Sequence, residues 1–226
     1  MIDPLEFSIK IEPLVIKNGD QKRYYRFRGA KYYGGISTAD VVGCNMNCAF
    51  CWVHPKVRYQ VQEAGTFYSP EQVGNRLVQI AKKARFQQLR VSGGEPTIGK
   101  EHLIALIRYL DEYPYTFILE TNGMLLCHEE YVRDLRNFRN LHVRISLKAA
   151  TPEVFAKVTG ATQKAYDYPL QALQLLIDNE ISCHTSVISD FCSKEELVYL
   201  VKRLQELNPE LVSQLEFESL IPLLQN

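Results

Sequence analysis

Residues 38–51 read TADVVGCNMNCAFC, a β-rich run that leads directly into a loop with three cysteines. Cys44, Cys48 and Cys51 fall within eight residues. Thiolates are soft ligands that suit iron-sulfur clusters and zinc, and three on one loop can hold three corners of a cubane cluster. An electron-transfer [4Fe-4S] protein normally supplies four cysteines, so three leave one iron free to bind another molecule.

A structural zinc site is the main alternative for this loop. His54 follows Cys51 by three residues, so Cys44, Cys48, Cys51 and His54 also match a site with three cysteines and one histidine. Structural zinc ligands usually come as two separated pairs, whereas this loop offers a single group. The spacing therefore favours the iron-sulfur cluster.

From about residue 37 onward, β-rich runs alternate with helical patterns, which is typical of repeated βα units and a parallel sheet. Ser69, Thr151 and Ser193 each begin a helical pattern with an N-cap signature. Six units are predicted, and the fold class is α/β, an incomplete (βα)6 TIM-type barrel with an open doubly wound sheet as the alternative. The predicted strands cover residues 38–42, 88–91, 115–120, 142–147, 182–188 and 214–220.

Chemistry in both of these folds lies at the carboxyl ends of the strands. The second strand is followed by Ser92-Gly93-Gly94-Glu95-Pro96 and the third by Thr121-Asn122-Gly123, while the fourth ends in Ser146-Leu147-Lys148. Alternation along a strand places Ser146 and Lys148 on the same side, and an inward lysine requires a partner such as Glu120 or an anionic ligand. These strand ends are therefore candidate parts of one site with the cysteine loop.

The composition of the chain argues against some classes of protein, namely nucleic-acid binders and membrane-spanning proteins. The chain has 226 residues, with 26 Lys plus Arg and 26 Asp plus Glu, which fits a single globular domain. Balanced charge argues against a dedicated nucleic-acid binder, and no apolar run is long enough to span a membrane. The first residues do not resemble a signal peptide, so we expect a cytoplasmic protein without membrane association.

The first 36 residues precede the repeated units and are predicted to be an N-terminal lead-in to a domain at 37–226. Residues 22–33 are basic and aromatic, with Lys22, Arg26 and Arg28 among Tyr and Phe residues. This segment fits an edge strand with a solvated basic face, and an anion-binding or barrel-covering role is the alternative.

Together, these motifs resemble the radical S-adenosylmethionine superfamily. The CxxxCxxC motif of that family is matched at Cys44, Cys48 and Cys51, and the usual aromatic residue stands at Phe50. Gly93-Gly94-Glu95-Pro96 matches the family's GGE motif, and the next two strand ends are similar to family segments. The resemblance covers about residues 37 to 190 and implies a [4Fe-4S] cluster and S-adenosylmethionine as cofactors.

The resemblance also implies roles for individual residues. Cys44, Cys48 and Cys51 would ligate the cluster. The other predicted contacts are to S-adenosylmethionine: the Phe50 backbone with adenine, Gly93 and Gly94 with the methionine moiety, Glu95 with its ammonium or the surrounding network, and Thr121, Asn122, Ser146, Lys148 and His184 around the remaining groups. His184 is expected at the ribose or carboxylate, with a satisfied core histidine as the alternative. The catalytic residues are unknown, and the isolated Cys127, Cys183 and Cys192 predict no second cluster.

Within the superfamily, the sequence looks most similar to small activating enzymes of the pyruvate formate-lyase type. Glu120 and Ser146 stand where those enzymes usually carry aspartates. The short chain favours an open barrel covered by a protein or other macromolecular substrate, and a reductant such as ferredoxin or flavodoxin is the expected electron donor. The alternatives are a small-molecule enzyme similar to 7-carboxy-7-deazaguanine synthase and a non-catalytic zinc or iron-sulfur binding domain.

Overall fold

The computed structural model of the protein describes residues 1–220. Its strands are β1 (Ile16–Lys17), β2 (Gln21–Ala30), β3 (Ile36–Val41), β4 (Thr66–Tyr68), β5 (Gln88–Gly93), β6 (Thr116–Thr121), β7 (Leu141–Leu147), β8 (Cys183–Ile188) and β9 (Glu216–Glu218). Its α-helices are α1 (Pro4–Val15), α2 (Pro55–Tyr59), α3 (Pro70–Ala84), α4 (Lys100–Asp111), α5 (Glu129–Leu135), α6 (Pro152–Thr159), α7 (Asp167–Asp178), α8 (Lys194–Leu207) and α9 (Pro209–Ser213).

The strands of residues 1–220 form one nine-stranded sheet in the order β1-β2-β3-β5-β6-β7-β8-β9, with β4 also paired to β2. The run from β3 to β9 is parallel, and helices connect its successive strands. This confirms the predicted incomplete (βα)6 barrel. The predicted last strand was too long, because α9 ends at Ser213 and pairing with β8 holds only Glu216–Glu218.

The helix starts follow from local capping chemistry. The Ser69 hydroxyl accepts a hydrogen bond from the Gln72 backbone N–H, and the Gln72 side chain accepts one from the Ser69 N–H. Ser193 and Glu196 repeat this capping box at α8. Each cap satisfies backbone donors that have no partner within the helix, and such a cap contributes about 1 kcal/mol.

Alternation along the parallel strands separates an apolar layer from a polar lumen. On β5, Leu89 and Val91 are buried in the core cluster beneath the helices, whereas Arg90 and Ser92 contact polar side chains on neighbouring strands. Burial of each aliphatic side chain stabilises the fold by about 1.5–3 kcal/mol. The outer layer therefore holds the barrel together, while the lumen side carries the polar groups.

Residues before the barrel strands extend its wall. β2 lies antiparallel to β3 and pairs with it from Tyr24 to Ala30. The predicted strand in the basic aromatic segment is thus present, but its first part is not an edge with a solvated face, because β1 and β4 pair with it and Lys22 is buried there. A domain boundary after residue 36 stays a prediction, and the last six residues of the predicted domain 37–226 lie outside the described residues. Within residues 1–220, no helix is long and apolar enough to cross a bilayer.

Candidate active site

The cysteine loop follows β3 and lies at the carboxyl end of the sheet. Its backbone is fixed by α6: Asn47 N–H donates to the Thr159 carbonyl at 3.0 Å and Ala49 N–H to the Val158 carbonyl at 2.8 Å. Gly43 N–H donates to the Val57 carbonyl at 2.9 Å. The loop is therefore held between α2 and α6.

Two side chains of α2 also hold this loop. The buried Arg58 donates from Nη1 to the Cys48 carbonyl at 3.2 Å. The Tyr59 hydroxyl donates to the Met46 carbonyl at 2.5 Å. Neither residue is evident from the sequence, because no local pattern shows that α2 folds back onto the loop.

Burial and nearby cations set the ionisation of the thiols. Burial raises the pKa of Cys44, and the proximity of the other thiols raises it further. Burial also raises the pKa of Cys48 to about 11, although Lys148 and Arg58 oppose this shift. Since metal binding requires thiolates, loading of the site must release protons, and the two cations favour that release at Cys48.

The residues around the loop fit a cluster and a bound ligand. Arg58 Nε and the Tyr25 hydroxyl are buried and have no hydrogen-bond partner within residues 1–220. In that part of the chain, no three Cys, His, Asp or Glu side chains converge as ligands of a single ion would. Ligands of a cubane each bind a separate iron, so they need not converge on one point. His54, the fourth residue of the zinc alternative, accepts the Lys56 N–H at 3.2 Å through Nδ1.

The glycines of the GGE segment are explained by packing within the protein. A Cβ on Gly94 would lie 1.9 Å from the Gly43 carbonyl oxygen, and Gly93 has φ +100° with Val41 N 2.8 Å from the position of its Cβ. Glu95 N–H donates to the Gly43 carbonyl at 2.7 Å. The absent side chains thus permit close approach of the β5 turn to the cysteine loop, and contact with the methionine moiety stays a prediction.

Glu95 is the centre of a buried hydrogen-bond network. Its Oε1 accepts from the Thr97 hydroxyl and the Thr121 hydroxyl, both at 2.6 Å, and its Oε2 accepts from Asn122 N–H at 2.9 Å. Asn122 in turn donates to Asn45 of the cysteine loop at 2.7 Å. Of the two expectations for Glu95, these contacts match the surrounding network and leave the ammonium contact untested. The polar groups of Thr121 and Asn122 are also used in this hydrogen-bond network.

Lys22 of β2 binds the backbone of the same segment through its side chain. Its ammonium group is buried and donates to the carbonyls of Glu95, Pro96 and Ile98. Burial lowers the pKa of Lys22 to about 7, although the negative charge of Glu95 acts to raise it. The basic segment at 22–33 therefore contains a structural lysine, a role that its alternating pattern did not indicate.

Ser146 and Lys148 do share a face at the end of β7. The Lys148 ammonium donates to the Ser146 hydroxyl at 2.7 Å. Its charge favours the ionised forms of both Cys48 and Glu120. Lys148 therefore lies between the cysteine loop and the lumen, although its predicted contact with the cofactor is not tested by these distances.

Below Lys148, the lumen carries a network of ion pairs around Arg144. This buried guanidinium contacts Glu120 at 3.0 Å and both Glu216 and Glu218 at 2.6 Å. Burial alone would raise the pKa of Glu120, but Arg90 and Arg144 outweigh it and hold that pKa below its usual value. Glu120 is thus paired with two arginines. The sequence did not indicate the roles of Arg144, Glu216 and Glu218, because their strands come together only in the folded sheet.

His184 lies in this lower network, beside Arg144 in the strand register. Its Nδ1 is 2.6 Å from His142 Nε2, and its Nε2 is 3.1 Å from Glu216 Oε1. Lys148 lies four residues beyond Arg144, which corresponds to about 13 Å along an extended chain. His184, which pairs with Arg144, is therefore far from Lys148. His184 Nε2 is buried and makes no hydrogen bond within residues 1–220, so the imidazole is only partly satisfied, and the predicted cofactor contact of His184 stays a prediction.

Phe50 contributes an aromatic side chain at the top of the site. Its ring stacks on Phe191, with centroids 5.3 Å apart. Phe191 follows β8, so the stack joins the cysteine loop to the carboxyl end of another strand. The stack restrains the side chain of Phe50, and the contact of its backbone with adenine stays a prediction.

Comparison with known proteins agrees with this arrangement. The family model of the radical SAM superfamily matches residues 40–206. A probable GTP 3',8-cyclase of Methanococcus maripaludis is 26% identical over 180 residues, which are 74% of this chain and 58% of that protein. The corresponding protein of Thermococcus kodakarensis is 30% identical over 117 residues, 52% of this chain and 36% of its own length. The chain therefore spans between about a third and three-fifths of these relatives.

Solved structures share the fold at low sequence identity. Streptococcus suis SuiB bound to the precursor peptide SuiA aligns with a TM-score of 0.66 and 16% identity, over 82% of this chain and 39% of SuiB. HydG, a maturase of the [FeFe]-hydrogenase, aligns with a TM-score of 0.61 and 14% identity, over 98% of this chain and 48% of HydG. The predicted superfamily is confirmed, while a specific likeness to activating enzymes is not. The chain belongs to the radical SAM superfamily, and its cofactors are a [4Fe-4S] cluster and S-adenosylmethionine.

Proposed function

We propose that this radical SAM enzyme acts on a small polar molecule bound in the barrel lumen below the cysteine loop. The observation that carries the proposal is the charged lumen, which is built from inward side chains of β2, β3, β5, β6, β7 and β9. Of these charged residues, Asp40, Arg90 and Arg144 are buried, and a lumen lined with charged side chains favours polar ligands over apolar ones. The curated relatives named probable GTP 3',8-cyclases also have a small-molecule substrate in their name.

This proposal replaces the macromolecular substrate expected from chain length. The relatives give that expectation no support, and the alternative of a small-molecule enzyme similar to 7-carboxy-7-deazaguanine synthase is closer to them. The GTP of the relatives is the first substrate to test on this chain. 6-Carboxytetrahydropterin is the second, because its turnover would identify the deazaguanine-type reaction.

The chain's own residues would have separate tasks in this reaction. Cys44, Cys48 and Cys51 would hold the cluster, and Lys148 would face the carboxylate of S-adenosylmethionine. When bound, the reduced cluster and S-adenosylmethionine supply a carbon-centred radical that abstracts hydrogen from the substrate. The buried network of Glu95 would keep the loop and the β5 turn in register during this step. An external reductant of the ferredoxin or flavodoxin class would deliver the electron.

The test is anaerobic reconstitution with iron and sulfide, reduction with dithionite, and chromatographic measurement of 5'-deoxyadenosine after S-adenosylmethionine is added. We expect 5'-deoxyadenosine formation to increase with GTP, 6-carboxytetrahydropterin or the small-molecule filtrate of a cell extract. Stimulation only by the retained macromolecules would contradict the proposal. Zinc without iron or sulfide in the purified protein would restore the non-catalytic alternative.

A further inference from the structure

Two arginines of β2 converge on one carboxylate at the open flank of the barrel. Arg26 Nε lies 2.6 Å and Arg28 Nε 2.9 Å from Asp40 Oδ2 on β3. Asp40 is fully buried, while the side chains of Arg26 and Arg28 are 42% and 24% exposed. The carboxylate thus anchors two guanidiniums whose outer parts remain open to solvent.

Most of the terminal nitrogens in this pair are unused. Arg26 donates to Asp40 only through Nε, and Arg28 donates through Nε and Nη2. Both Nη atoms of Arg26 and Nη1 of Arg28 donate to no acceptor within residues 1–220. Two guanidiniums and one carboxylate leave an excess of one positive charge. Arg144 differs, because its Nε and both of its Nη atoms donate to carboxylates.

An exposed aromatic ring lies beside the same two arginines. Trp52 is 52% exposed and directly follows Cys51. The guanidinium carbon of Arg26 is 5.2 Å from the ring centroid of Trp52, and that of Arg28 is 6.0 Å away. An exposed tryptophan at this position offers a flat apolar surface next to cationic donors.

We propose that Arg26, Arg28 and Trp52 form a binding site for the phosphoryl group and planar ring of a small-molecule substrate. Guanidiniums bind phosphate oxygens through several N–H groups at once, and three unused terminal nitrogens suit a group with three oxygens. Trp52 would stack on the ring, and Asp40 would hold both arginines in place. The site adjoins the cysteine loop, so a ligand bound there lies near the cluster.

This inference deepens the proposed function and rests on it, since it names the substrate class of the same lumen. Binding is therefore measured without turnover, by anaerobic calorimetry on the reconstituted protein. The probes are inorganic pyrophosphate, a purine nucleoside 5'-triphosphate and the corresponding nucleoside. If the triphosphate binds but does not stimulate 5'-deoxyadenosine formation, the site stands while its assignment as the substrate site fails.

The variants separate charge from geometry. We expect R26Q/R28Q to weaken pyrophosphate binding by about tenfold or more, because the charge-assisted contacts to the phosphoryl oxygens are lost. Because that variant leaves Asp40 buried without a partner, R26K/R28K is the second variant, which keeps the charges but not the planar fork. It should fold as the wild type does and still bind pyrophosphate several-fold more weakly.

The ring contact has its own readout. W52A should weaken the triphosphate several-fold and leave pyrophosphate unchanged, whereas W52F should restore most of the triphosphate affinity. The matched control is R108Q, which replaces an exposed arginine of α4. This variant should bind every probe as the wild type does. The proposal is overturned if folded R26K/R28K binds pyrophosphate as tightly as the wild type. It is equally overturned if the wild type binds neither pyrophosphate nor the triphosphate.

Discussion

The upper and lower parts of the barrel lumen are built in different ways. The upper part has three cysteines from one short loop, fixed mainly by backbone hydrogen bonds to α2 and α6. In the lower part, charged side chains from separate strands pair around Arg144. The upper part therefore carries the cysteine motif of the superfamily, whereas the lower part is a network of ion pairs between strands.

The strongest way to separate the two parts is to remove one ligand thiol. Cys48→Ala should abolish cluster loading and reduce 5'-deoxyadenosine formation to background, because a cubane cannot be held by the two remaining loop cysteines. Iron and sulfide analysis together with the chromatographic assay measures this. Cys183→Ala, on β8, is the control and should load normally. Full iron and sulfide in Cys48→Ala would contradict the ligand assignment.

The lower part can be broken at its central cation. Arg144→Gln should reduce the free energy of unfolding by about 3–5 kcal/mol, because it removes a buried guanidinium and leaves the partly buried Glu120 without its closest cation. Urea unfolding measures the change. Arg133→Gln removes an exposed pair with Glu129 and should cost about 0.3–0.5 kcal/mol. Equal effects of the two substitutions would show that the network does not stabilise the lumen.

The junction between the two parts depends on Glu95. Glu95→Gln places an amide where the carboxylate accepts donors, so we expect a loss of about 1–3 kcal/mol in the free energy of unfolding. Glu101→Gln on the exposed face of α4 is the matched control. No difference between these variants in urea unfolding would remove Glu95 from its structural role.

Substitution of Lys148 tests its predicted contact with S-adenosylmethionine. Lys148→Ala should weaken S-adenosylmethionine binding by about tenfold and leave iron content intact, because one charged contact is lost. Equilibrium dialysis and iron analysis provide the two readouts. Lys157→Ala, exposed on α6, should change neither. Unchanged affinity in Lys148→Ala would exclude this lysine from the cofactor site.

A pH dependence of the free energy of unfolding is expected from Lys22. Its folded-state pKa of about 7 lies below its ordinary value of 10.5, so between these values the unfolded chain binds the proton that the folded chain has lost. The contribution of Lys22 to stability should therefore increase as pH rises from about 7 to 10.5. Urea unfolding across this range should show that slope reduced in Lys22→Met and retained in exposed Lys83→Met. An identical slope in all three proteins would contradict the prediction.

The local parts of the fold were predictable because their causes are local. Ser69, Thr151 and Ser193 cap helices through residues three positions away, and strand alternation identified the shared face of Ser146 and Lys148. The GGE segment was found from its motif, but its glycines proved to serve contact with Gly43. That contact joins two strand ends about fifty residues apart, which a motif cannot show.

The sequence by itself determined the cysteine loop, the order of the βα units and the superfamily, since each depends on residue type at short spacing. Only the tertiary structure decided the partners of the charged residues. Asp40, Arg90 and Arg144 find their counter-ions on other strands, because strand pairing brings distant residues to the same level of the lumen. The physical reason is burial: a charge enclosed in the barrel must be paired, and which residue pairs with it is fixed by sheet register.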